Sequence, residues 1–173
     1  MGGVLHCQTT REVLTIDKLI RLATPEDVSY LGPRLRSADL KELKAAGYKT
    51  GKGALNHGFD ISACCYTGIN PETGQPAVMF GVVKTAEERG FNTIWLLGTD
   101  DVARHGRVFA RRCRFWIRRF AEIYGIIGNA VDLDNVFYVR WLKWCGFRQI
   151  STMRHEGAVF GLFILEDTGG GKS

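Results

Sequence analysis

Residues 132–147 read DLDNVFYVRWLKWCGF, and this stretch decides the fold. Asn135 is a residue type that opens helices, and the pair Gly146-Phe147 closes one and starts a strand. On one side, NAVDLD (129–134) predicts a strand. On the other, FRQISTMR (147–154) and VFGLFILED (159–167) predict two more. The chain therefore ends strand, helix, strand, strand.

The same grammar runs back toward the N-terminus. TIWLLGT (93–99) is continuously apolar, as a central strand is, and a helix is expected to follow it from about Asp101 to Tyr124. SACCYTG (62–68) and PAVMFGVVK (76–84) form a hairpin around Asn70, Pro71 and Gly74. KLIRLA (18–23) reads as a strand. TPED then starts a helix, with Thr24 as cap, Pro25 at the first helical position, and Glu26 and Asp27 complementing the dipole. SADLKELKAAG (37–47) repeats the device between Ser37 and Gly47, and GYKTGKGALNHGFD reads as loop with one helical turn. The order β-α-α-β-β-β-α-β-α-β-β predicts an α/β domain, a mixed sheet with flanking helices, over residues 18–167. An N-terminal arm (1–17) and a tail (168–173) flank it.

Composition narrows the function classes. At 173 residues the chain supports one domain with a hydrophobic core, and 45% hydrophobic with 24% charged residues is ordinary for a globular protein. No apolar run approaches the ~20 residues of a membrane span, and MGGVLHCQTTREVLT lacks the pattern of a signal peptide. The cysteines (7, 64, 65, 113, 145) and histidines (6, 57, 105, 155) show no metal-ligand spacing, so no metal and reduced cytosolic thiols are expected. TGGGKS fails as a phosphate loop, because Glu166 stands at the place of the first glycine.

The net charge is +5, yet the segment from Ala103 to Phe120 holds seven arginines and no acid. Phe109, Cys113, Trp116, Ile117, Phe120 and Tyr124 recur at the spacing of one buried stripe. Arg104, Arg107, Arg111, Arg114 and Arg118 recur on the opposite face, widened by Arg112 and Arg119. A solvated face generally mixes signs, and arginine suits planar contact with phosphates or carboxylates. This face is a candidate contact surface for DNA, for acidic neighbouring subunits or for self-association.

The element order and NVFYVRWLKWCGF (135–147) resemble the GNAT acetyltransferase fold over about residues 18–167. The resemblance implies an acetyl-CoA site in which Asn135 and its helix flank the pantetheine arm, and Leu97, Gly98, Thr99, Arg104 and Arg107 lie near the diphosphate. The family's diphosphate motif, Gln/Arg-x-x-Gly-x-Gly/Ala, fails in register here: counted from Arg104, Arg107 stands where glycine belongs and Gly106 is displaced. Thr99, Asp100 and Asp101 are expected to cap the helix start and repel a diphosphate. The family's acid, a tyrosine seven residues after the asparagine, falls on Leu142, with Tyr138 a helical turn away. Asp132, Asp134 and Glu166 remain as carboxylates for a general base, and no catalytic residue is assigned.

A narrower resemblance rests on IRLATPEDVSYLGPRLRSADLKELKAAG, AVMFGV, WLLGTDDVARHGRVFARRCRFW and NAVDLDNVFYVRWLKWCGF. These blocks resemble a GNAT-related family of short-tailed bacteriophages, labelled internal virion proteins. It implies a catalytically degenerate structural or internal virion component, or an assembly or ejection factor. Such a protein would bind no cofactor, contact other virion subunits, and reside in the particle or in the host cytoplasm. The two alternatives are an active acetyl-CoA-dependent N-acetyltransferase and a nucleic-acid-binding module using the arginine face.

Overall fold

A computed structural model describes residues 18–166, so the expected arm and tail lie outside the described residues. Seven strands make one mixed sheet in the order β1-β2-β3-β4-β5-β7-β6. The strands are β1 (Ile20–Leu22), β2 (Cys64–Ile69), β3 (Pro76–Val83), β4 (Asn92–Gly98), β5 (Ile127–Asp132), β6 (Arg148–His155) and β7 (Ala158–Leu165). β4, the continuously apolar strand, is central as expected, and it runs parallel to β5. The pairs β1/β2, β2/β3, β5/β7 and β6/β7 are antiparallel.

The helices are α1 (Pro25–Leu31), α2 (Ser37–Ala45), α3 (Gly51–Ile61), α4 (Ala86–Arg89), α5 (Asp101–Arg104), α6 (Gly106–Tyr124) and α7 (Val136–Cys145). Three of them correct the expected order. α3 was expected to be loop with one helical turn, and it forms although Gly51, Gly53 and Gly58 depress helix propensity by roughly 1 kcal/mol each. Its start is nevertheless capped, with Thr50 Oγ1 accepting the Gly53 N–H at 3.0 Å. α4 is a single turn that ends at Gly90, whose φ of 79° needs glycine. The third correction is that the expected helix Asp101–Tyr124 is two helices, separated at His105.

The chain divides into two compact units. Among the described residues the first comprises 18–83 and Trp95–Gly106. Its core gathers Val28, Leu31, Leu35, Leu55 and Met79, with Leu97 packed against it. Asp27, 2% exposed, ties α1 to the sheet. Arg21 donates to both its oxygens at 2.7 Å, the Thr67 hydroxyl donates at 2.8 Å and the Thr24 amide at 2.9 Å. A buried charge is tolerated only with this degree of pairing.

The second unit comprises Lys84–Ile94 and Arg107–Ser173. α6 buries Phe109, Cys113, Trp116, Ile117, Phe120 and Ala121, which is the expected stripe with Ala121 added. α7 is closed at one end by Asn135, whose side chain accepts the Tyr138 amide, and at the other by Gly146 at φ 102°. β6 forms one edge of the sheet and is exposed along its whole length.

Candidate active site

The end of β4, the turn that follows and α5 hold four of the six residues expected at the cofactor: Leu97, Gly98, Thr99 and Arg104, all in the first unit. Arg107 and Asn135 belong to the second. Three of the six are committed to their own chain. Gly98 donates its N–H to Asp39 Oδ2 at 3.1 Å, and its carbonyl accepts the Arg36 amide at 2.9 Å. Asp39 is in turn paired with Arg36 at 2.5 Å, so this buried ion pair closes the backbone of Gly98 to any ligand. The Thr99 amide donates to Ala77 O at 2.8 Å. Asn135 spends its side-chain oxygen on the cap of α7.

Strand alternation supplies a residue that sequence reading missed. The β4–β5 ladder has only two pairs, Asn92↔Ile127 and Thr93↔Gly128. The Asn92 amide donates to Ile126 O, so even-numbered residues of β4 turn their backbone groups toward the β5 edge. Leu97 points its backbone the other way, and Gly98 is closed. Leu96 is therefore the residue on that edge that no ladder pair reaches. The signal lay in the register, which the sequence does not print.

The break at His105 divides the expected helix, and the capping expected of Thr99 falls on its short first part. Asp100 and Asp101 start only the four-residue α5, where the Asp100 side chain makes no capping bond. The Asp101 carboxylate accepts from Asn70 Nδ2 at 3.0 Å, and its amide donates to Thr99 Oγ1 at 3.3 Å. α6 starts afresh at Gly106 with no acid in its first turn. A Cβ built on Gly106 would meet nothing within 4 Å. Main-chain N–H groups at a helix start, open space beside a glycine, and exposed arginines at 104 and 107 suit a diphosphate. This helix start lies one helix later than the motif count placed it.

The proton-transfer candidates fare differently. Leu142 is fully buried, and Tyr138 is 4% exposed with its ring stacked on Trp141. Asp132 accepts the Asp134 amide at 3.0 Å within a turn, Asp134 is exposed, and Glu166 lies 3.8 Å from Arg148. All five belong to the second unit. His105, at the helix break, lies 3.8 Å from Glu72.

The arginine face is partly corrected. Arg119 pairs with Glu122 at 2.7 Å, just past the acid-free segment. Arg114 is half-buried over the Trp144 ring at 5.1 Å, and Arg112 is half-buried as well. Arg104 lies 3.9 Å from Asp101. Arg107, Arg111 and Arg118 are exposed as expected.

No protein-family model matches the chain, and no curated protein matches it. Solved structures do. A GNAT-family acetyltransferase from Bacillus anthracis superposes with a TM-score of 0.65 at 11% identity, covering 86% of this chain and 93% of that one. An acetyltransferase from Bacillus subtilis in complex with CoA gives 0.59 at 12% identity, covering 86% and 97%. A ribosomal-protein-S5-alanine acetyltransferase from Vibrio fischeri gives 0.58 at 11%, covering 87% and 93%. The expectation of a catalytically degenerate phage virion component is corrected by these findings: the similar structures are acetyltransferases, and no comparison points to a virion protein. The chain has the GNAT acetyltransferase fold.

Proposed function

We propose that the protein is an acetyl-CoA-dependent N-acetyltransferase. The observation that carries this reading is the start of α6 at Gly106, free of acids in its first turn and flanked by exposed Arg104 and Arg107. The short β4–β5 ladder supports it, because the pairing stops two residues into β4 and leaves Leu96 beyond it. So does the solution of a structure of the same fold in complex with CoA.

The bound cofactor would supply an acetyl thioester, activated toward an amine. The chain's own part is to bind and orient. The amides at the start of α6, with Arg104 and Arg107, would hold the diphosphate. Leu96 would align the amide arm through its N–H and C=O. In the overall reaction the amine nitrogen gains a bond to the acetyl carbon, the carbon–sulfur bond breaks, and the amine proton ends on the CoA sulfur. A thiolate, whose acid has a pKa of about 8.5, is stable enough to leave before it is protonated, so buried Leu142 is compatible with transfer.

The experiment is incubation of the full chain with acetyl-CoA and a panel of amines, including peptides with free N-termini and lysine side chains. Release of CoA thiol matched by one acetyl group gained per amine supports the reading. No thiol release from any amine, at pH values up to where the amines are neutral, overturns it.

A further inference from the structure

The positive charge of this protein is not spread evenly. Among the described residues the second unit holds twelve Lys and Arg against seven Asp and Glu, whereas the first holds nine against eight. Much of the excess lies on one face of α6, where exposed Arg111 and Arg118 bracket Phe115. They stand four residues before it and three after it, and so share its side of the helix. Neither arginine has an ion-pair partner among the described residues. Phe115 itself is 54% exposed, which a solvated charged face does not require.

The same arrangement recurs on α7. Trp144 is 44% exposed, with exposed Arg140 one turn before it. Arg114 of α6 lies over its ring at 5.1 Å, which links the two helices into one surface. Burial pushes the Cys145 thiol up, and the charges of Arg114 and Arg118 pull against that rise, so both guanidiniums act at the end of α7. Each exposed aromatic ring therefore sits between cations. That pattern answers a polymer that alternates anionic groups with flat, stackable ones.

We propose that the α6–α7 face, through Arg111, Phe115, Arg118, Arg140 and Trp144, binds a single-stranded nucleic acid. Its phosphates would pair with the guanidiniums and its bases would stack on the two rings. A duplex offers phosphates but keeps its bases inside, which leaves Phe115 and Trp144 without a role. An acidic peptide would satisfy the arginines and leave the rings equally idle. The face uses none of the residues assigned to the diphosphate, so the proposal does not rest on acetyl transfer.

Fluorescence anisotropy of the full chain tests it, with a labelled oligouridylate, the same strand in a duplex, and polyglutamate. The single strand should bind tightest, its log affinity falling with log salt by about 0.7 per phosphate contacted. The double variant Arg111→Glu/Arg118→Glu should weaken binding and flatten that slope by more than one. Phe115→Ala and Trp144→Ala should each weaken binding about tenfold with the slope unchanged, since stacking carries no charge. Phe115 meets the Trp116 ring edge-on and Trp144 is half-stacked with Arg114, so an unchanged melting temperature is the check on folding. Equal affinity for the duplex or for polyglutamate, or full affinity in the Phe115→Ala protein, overturns the proposal.

Discussion

Asp27 shows how one residue sets a property of the folded state. Burial pushes its carboxyl up, but the hydrogen bonds from Arg21, Thr67 and the Thr24 amide, with the Arg21 charge, outweigh that and hold it below the ordinary value. A carboxyl depressed on folding stabilises the native state at every pH above its unfolded value, roughly 3.9. That contribution is lost as pH falls through the lower, folded value. Urea denaturation at a series of pH values should show native stability dropping below about pH 4. The Asp27→Asn protein should be less stable at neutral pH and show a shallower acid loss. Parallel acid limbs in the two proteins would mean that Asp27 is not the group being titrated. Gly106 is the corresponding case at the candidate site: no neighbour requires a glycine there, so its value lies in the space it leaves open.

At the scale of elements, α3 and the α5/α6 break are the informative cases. The first residue of α3 touches its neighbour's backbone: a Cβ at Gly51 would sit 2.7 Å from Gly32 O and 2.8 Å from a Leu35 methyl. Gly51→Ala should therefore destabilise by about 1–3 kcal/mol, although alanine is the better helix former. Chemical denaturation checks the sign, and a neutral or stabilising result would mean that α3 is free to shift. This is also why α3 was illegible in the sequence. Its glycines serve packing, and propensity reads them as loop. By contrast, α7 was legible because its cap, its stop and its apolar spacing agree. The stripe on α6 was legible for the same reason. The break at His105 was not, because the apolar pattern of α6 begins beyond it and Val102 is the only buried residue of α5. The expected single helix therefore put Asp100 and Asp101 at the start of the long helix, whereas they start α5. The site residues were half legible. Arg104 and Arg107 are exposed, as expected of the charged face, and Asn135 caps α7 as its place before the helix implies, whereas Gly98 is committed to Asp39, a long-range partner that no spacing reveals.

For the whole molecule, fold and charge carry separate messages. The fold is that of acetyltransferases that share 11–12% of their residues with this chain, so it reports the sheet order and helix placement and not the substrate. The charge reports a surface, and its concentration in the second unit is what a partner would feel first. The central claim, that the chain binds acetyl-CoA at the start of α6, is tested most directly by calorimetric titration of acetyl-CoA into the full chain and into its Gly106→Asp and Arg107→Glu forms. We predict micromolar binding by the parent, a loss of at least tenfold in each variant, and melting temperatures in the absence of ligand that do not move. No heat at millimolar acetyl-CoA, or equal binding by all three proteins, would contradict the account.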